Sequence, residues 1–287
     1  MDIKSIFMGL AFVLMWSSAF TSARIIVQSA PPMMALSLRF FLSGLIAVSL
    51  AVALGQRLRL NRSQWRATLI FGVCQNALYL GLFFIAMQNV GAGLAAIVAS
   101  TMPLLVALFS RLFLGETIRP MGIGGLIVGF IGVAIIMGSR TSTELDQIGL
   151  LLMVIGVLAL TLATLVVRSA TSGGNVLMVM GLQMLIGSAV LVFPAVYFET
   201  IFVVWSPGLI AAFAYTLLVP GLLATWVWMH LVSRIGSTRA ATYHFLNPFF
   251  GVAIAALLLG ERLVLRDFIG VSIIAAGILA VQLSRRV

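Results

Sequence analysis

The chain has 287 residues, 62% of them hydrophobic and 8% charged, with mean hydropathy +1.20 and a formal net charge of +10. No water-soluble domain hides that much apolar surface, so the expected solvent is lipid. The single cysteine, Cys74, excludes an internal disulfide framework and a multi-cysteine metal site.

A membrane-crossing helix needs about 20 apolar residues, and the chain supplies ten such runs in order. The first is Ile6 to Val27, preceded by Lys4. It extends past Ala19 through Ile25, Ile26 and Val27, longer than a signal-peptide core, and is expected to be retained as a membrane span. Met33 to Leu54, Ala67 to Met87, Leu94 to Leu114 and Met121 to Gly138 complete a first group of five. The second group is Ile148 to Val167, Val176 to Tyr197, Gly208 to Leu231, Ala240 to Leu259 and Phe268 to Leu283. The links are short, which forces neighbouring helices to run antiparallel.

The second group repeats the first. A shift of 145 positions places Pro103 on Pro248, Gly115-Glu116 on Gly260-Glu261, Gly125 on Gly270 and Gly132 on Gly277. It also places Gly91 on Gly236 and Ala95-Ala96 on Ala240-Ala241. Five spans is an odd number, so the two copies enter the membrane in opposite directions. The expected fold is all-α: ten transmembrane helices forming two inverted five-helix repeats, residues 1–140 and 141–287, around a central cavity. A duplicated, inverted bundle is the usual ground plan of a secondary transporter.

The basic residues lie between the apolar runs. With a cytoplasmic N-terminus, twelve fall on the inner side and Arg24, Arg39, Arg140, Arg262 and Arg266 on the other. The positive-inside rule therefore predicts both termini in the cytoplasm. Charge so placed serves topology and anionic headgroups, and no nucleic-acid partner is expected.

All seven acids, Asp2, Glu116, Glu144, Asp146, Glu199, Glu261 and Asp267, fall outside the middle of the spans. Pumps that exchange organic cations for protons hold a carboxylate at membrane depth, so this mechanism is disfavoured. Gly115 with Glu116, and Gly260 with Glu261, read as structural turns in which glycine closes one helix and the acid caps the next. Pro103 and Pro248 sit inside spans four and nine and are candidate hinges or kinks. Gly122, Gly125, Gly129 and Gly132 make a stripe of small residues for close packing within the bundle. Arg39 either meets a substrate carboxylate or, the favoured expectation, snorkels to headgroups from the start of span two.

Aromatic and amide side chains inside the spans give the substrate-path candidates: Trp16, Gln75, Tyr79, Tyr243, His244 and Asn247. Gln75 and Tyr79 share a helix face, as do Tyr243 and Asn247. Rings and amides together suit an aromatic amino acid, which needs a stacking wall and partners for its carboxylate and ammonium. Plain packing between helices is the competing reading of each. No Walker motif, HExxH or intramembrane Asp is present, so no catalytic residue, cofactor or metal is expected.

Residues 95–137 and 240–282 each carry a mid-span Pro, a Gly-Glu at the next turn and then spaced glycines. This pattern, with Leu38-Arg39-Phe40 shortly after Pro31-Pro32, resembles the EamA module of the drug/metabolite transporter superfamily. The resemblance covers nearly the whole chain as two modules, although Gln183 stands where Arg39 does in the first. Within the superfamily it is similar to the YddG-type exporters of aromatic amino acids. It implies a ten-helix basket in a bacterial inner membrane that exports amino acids or related metabolites, with a small-molecule substrate, surrounding lipids and a functional monomer. Another metabolite or a drug-like cation would change only the cargo. A membrane-embedded enzyme is the contrasting class, which the absence of paired acids and metal clusters speaks against.

Overall fold

A computed structural model describes residues 3–114, 120–138, 146–171, 173–236, 240–261 and 265–284. Among these residues seven helices are long and apolar enough to cross a membrane: 3–27, 32–53, 62–86, 92–109, 147–167, 176–198 and 207–235. Three shorter apolar helices, 120–129, 247–259 and 268–277, supply spans five, nine and ten. The protein is an all-helical membrane protein of ten spans.

Its surface inverts the pattern of a soluble domain. Phe193, Leu257 and Leu258 are exposed, whereas Ser17, Thr164, Gln183 and Asn247 are fully buried. In lipid the apolar residues face the solvent, and polar side chains turn inward to bond between helices.

The two repeats embrace each other about a pseudo-twofold axis. Span two packs along span seven, and span five along span ten. Span one lies against spans eight and nine, and span six lies correspondingly against spans three and four. Ser37 Oγ donates to the Ser188 carbonyl at 3.0 Å, and Ser188 Oγ donates to the Ser37 carbonyl at 2.9 Å. Spans five and ten cross on glycine. A methyl group at Gly277 would lie 2.5 Å from the Gly125 carbonyl oxygen and the Gly129 nitrogen. The glycine stripe thus packs inside the bundle.

Three local features shape the interior. Span three begins with a capping box: the Gln64 N–H donates to Asn61 Oδ1 at 2.9 Å and the Asn61 N–H to Gln64 Oε1 at 2.8 Å. Its middle, Gly72–Leu80, is wound as a π-helix. Span eight does the same over Leu217–Ala224, beginning 145 residues later. Pro220 lies inside that second stretch and removes one backbone donor there. Such wide turns are uncommon and concentrate at functional sites.

Spans four and nine are each broken just before their proline. Span four consists of Ala92–Ala99 and Met102–Leu114, with Pro103 in the first turn of the second helix. In span nine a 3₁₀ turn, Thr242–Leu246, precedes Asn247–Leu259, and Pro248 again starts the helix. At the break in span four the Ile97 and Val98 carbonyls accept both the backbone N–H and the hydroxyl of the residue three on: Ser100 Oγ donates to Ile97 O at 2.6 Å and Thr101 Oγ1 to Val98 O at 2.7 Å.

Candidate functional site

Between the π-helical stretches of spans three and eight lies a central cavity, walled also by spans one and two. Its volume is about 30 Å³, room for roughly two water molecules. Trp16, Phe20, Phe40, Phe83 and Phe84 form the apolar wall, and Arg39, Gln75, Asn76 and Tyr79 the polar one. Thr216, Pro220 and Gly221 close the span-eight side. Span one begins at one face of the bundle, here the first face, and ends at the second. The cavity occupies the half toward the second face. One helical turn farther out along spans one and three, a vestibule of about 480 Å³ is lined by Val27, Gln28, Met33, Gln88 and Glu199.

Several polar groups in the cavity wall have no partner. Arg39 Nε, Gln75 Oε1 and Asn76 Oδ1 are buried without a hydrogen bond. Native interiors contain few such atoms, and a cluster of them marks a place where a ligand or water binds. The orientation of Asn76 is set by its Nδ2, which donates to the Gln183 backbone carbonyl at 2.9 Å and to Gln183 Oε1. Its Oδ1 is thereby left as an acceptor. Tyr79 stacks with Trp16 at 6.5 Å and an interplanar angle of 7°.

Arg39 departs from the favoured expectation. It is 4% exposed and lines the cavity rather than reaching the headgroups. Its guanidinium lies 4.3 Å from the centre of the Phe40 ring and 6.0 Å from that of Phe84. A snorkelling arginine needs an apolar face beneath its stem and water at its tip. On span two that position turns inward, toward span three, so the charge enters the bundle.

Of the six substrate-path candidates, the structure brings Trp16, Gln75 and Tyr79 to the cavity wall and gathers Tyr243, His244 and Asn247 toward the first face. There an aromatic plug closes the bundle. Phe12 stacks on Trp228 at 4.8 Å, and the His244 ring meets Phe12, Trp16 and Trp228 edge-on at 5.1, 5.7 and 5.1 Å. Ser17 Oγ donates to Asn247 Oδ1 at 2.9 Å, so Asn247 Nδ2 faces His244 Nδ1 at 3.1 Å and donates to it. The Tyr243 hydroxyl donates to the Ser5 carbonyl at 3.2 Å.

Phe12 and Asn76 were missed by sequence reasoning. Phe12 is one phenylalanine among 19, with nothing in the chain to single it out. Asn76 did carry a signal, as an amide beside Gln75 deep in an apolar run. Trp226 and Tyr215 are partly exposed on the outside of span eight, apart from the cavity wall.

The acids at the second face act as latches between the repeats. Glu199, at the end of span seven, accepts from the Met33 and Met34 N–H groups at 2.7 and 2.8 Å, capping span two. Gly260 ends its helix with φ +66°, a left-handed turn that glycine adopts without strain. Glu261 then turns to the first repeat, where the next helix was its expected target. Its two oxygens accept from the Ala92 and Gly93 N–H groups at 2.7 and 2.9 Å, at the start of span four. Gly115 and Glu116 lie outside the described residues.

The sequence profile of the EamA-like transporter family matches residues 3–138 and again residues 147–283. The chain belongs to the EamA-like transporter family. This EamA protein is 28% identical over 275 residues to the uncharacterized transporter YvbV of Bacillus subtilis (strain 168), covering 95% of this chain and 90% of the relative. It is 27% identical over 277 residues to the uncharacterized inner membrane transporter YedA of Escherichia coli (strain K12), covering 96% and 89%. The aromatic amino acid exporter YddG of Ancylobacter novellus is 28% identical over 132 residues, which is 46% of this chain and 45% of that protein. A solved crystal structure with 20% sequence identity superposes with a TM-score of 0.72 over 99% of this chain and 98% of that one, and so shares the fold. The relatives are named transporters, and the EamA protein is a multi-pass membrane transporter.

Proposed function

We propose that this EamA protein exports amino acids, aromatic ones favoured, or related small metabolites across a bacterial inner membrane by alternating access. The observation that carries this reading is the cavity wall, where Arg39, Gln75 and Asn76 hold unpartnered polar atoms among aromatic rings. An aromatic amino acid supplies complementary groups: a carboxylate for the cation, an ammonium for the amide oxygens and a ring for Trp16 and Tyr79. The partial match to an aromatic amino acid exporter supports the same cargo.

At about 30 Å³ the cavity is too narrow for an amino acid in this state. Transport therefore requires the repeats to move apart. Inverted repeats supply such a motion, because each can adopt the other's conformation. The paired breaks before Pro103 and Pro248, and the paired π-helical stretches, are its candidate hinges. We further propose that the first face, with both termini, is cytoplasmic, and that a monomer suffices.

Uptake of radiolabelled amino acids into proteoliposomes holding the purified protein tests this reading. Saturable movement of unmodified aromatic amino acids is the expected result. Tyr79→Ala removes one side of the stacking wall and should weaken half-saturation for an aromatic substrate about tenfold, the effect of roughly 1–2 kcal/mol. Absence of transport across the whole panel, or chemical conversion of the substrate, overturns it.

A further inference from the structure

Arg39 is the one formally charged residue on the cavity wall among the described residues. It lies seven residues into span two, roughly 10 Å along the helix from its end. No hydrogen bond or ion pair reaches it within the described structure, and its Nε is buried without a partner. Asp146, Glu199 and Glu261 sit at helix ends instead, bonded to Asn89, to span two and to span four. The guanidinium rests only on the faces of Phe40 and Phe84.

A guanidinium keeps its charge at neutral pH, and burying one without a counter-charge is costly. Ring faces offset only part of that cost. The free edge of a guanidinium presents parallel donors whose spacing matches the two oxygens of a carboxylate. The remaining polar atoms, Gln75 Oε1 and Asn76 Oδ1, are acceptors that suit an ammonium, but they carry no charge. A cation lacking a carboxylate would therefore enter a cavity that is already positive, with nothing to neutralise it.

We propose that Arg39 determines the substrate class: the transported molecule is an organic acid whose carboxylate pairs with the guanidinium, and amines without a carboxylate are rejected. This rests on the cavity being the substrate site, and it names the charge that the substrate must carry. Phe40 and Phe84 hold the guanidinium in position for the carboxylate. The ammonium of an amino acid is optional, met by the neutral amides when present. Arg39 also breaks the symmetry of the repeats, because the 145-residue offset places the uncharged Met184 at its position in the second repeat, one residue after Gln183.

The test uses the purified full-length protein and sets of matched compounds: amino acids, the amines left by removing the carboxylate, and the acids left by removing the amine. For the phenyl set these are L-phenylalanine, phenethylamine and 3-phenylpropionate. Ligand-induced thermal stabilisation reads binding, and competition against labelled substrate in proteoliposomes reads transport. The acids should bind at least about tenfold more tightly than the matched amines, the effect of one charge-assisted contact. Arg39→Gln should lose that preference from both sides, weakening the acids and strengthening the amines as the repelling charge is removed. Arg39→Lys, which keeps the charge without the fork, should retain the sign of the preference at lower affinity. Amines binding as tightly as acids to the wild type would overturn the proposal, and so would Arg39→Gln with undiminished affinity for acids. Should the variants fail to fold, the wild-type comparison decides alone. If acids bind through Arg39 but no amino acid is transported, the amino-acid reading falls and the carboxylate site stands.

Discussion

At the scale of single residues, the interior of this protein is organised by what each polar atom finds to bond. Ser17, Asn247 and His244 form a chain of hydrogen bonds across spans one and nine, enclosed by Phe12, Trp16 and Trp228. Buried networks of this kind hold helices in one arrangement. Asn247→Leu removes the central member and leaves Ser17 Oγ and His244 Nδ1 to find new partners. The expected cost is about 1–3 kcal/mol, visible as a lower unfolding temperature in detergent. An unchanged temperature would show that the chain does not hold spans one and nine together. The cavity atoms are the opposite case: Arg39 Nε, Gln75 Oε1 and Asn76 Oδ1 are held in place without a hydrogen bond, the pattern of a binding site.

At the scale of elements, the two faces are latched differently. Met178 stands 145 residues after Met33, and each donates its N–H to a side chain from the other repeat. At the second face the acceptor is the Glu199 carboxylate at 2.7 Å; at the first it is the Gln56 amide at 3.1 Å. A carboxylate at a helix N-terminus makes charge-assisted bonds and gains from the helix dipole, so the second-face latch is the stronger. Glu199→Gln keeps one acceptor and removes the charge. Its expected effect is a shift toward the state open at the second face, by roughly tenfold in population if about 1.4 kcal/mol is lost. The labelling rate of Gln28→Cys in the vestibule, in a Cys74→Ala background, measures this. A rate equal to that of the parent would rule out Glu199 as a latch. Glycine decides the fit of spans five and ten in the same way. Gly277→Ala forces a methyl against the backbone of span five and should cost about 1–3 kcal/mol of stability.

For the whole molecule, the inverted duplication predicts where equivalent loops emerge. Thr117 and Arg262, 145 residues apart and both outside the described residues, are expected from the inverted duplication to emerge on opposite faces. Thr117→Cys and Arg262→Cys, each made in a Cys74→Ala background, should react with an impermeant reagent from opposite sides of sealed vesicles. Labelling of both from one side would contradict the inverted arrangement. The pairing of span one with span eight, and of span six with span three, places the cavity between repeats rather than within either. Their relative motion therefore opens and closes it.

Apolar run length, proline position and the 145-residue offset determined the ten spans, their antiparallel order and the duplication without reference to any contact. Each is a local or periodic property, and lipid enforces it by requiring every backbone group to bond within its own helix. Trp16, Gln75 and Tyr79 were legible as site candidates for the same reason: polar and aromatic groups at membrane depth stand out against an apolar background. The direction in which a side chain points was not legible in that way. Arg39 entering the cavity, Phe12 closing the plug and Glu261 reaching the start of span four all depend on how ten helices rotate about their axes against one another. That rotation is set by close packing between distant segments, such as Gly277 on Gly125 and Ser37 on Ser188, and only the tertiary structure decides it.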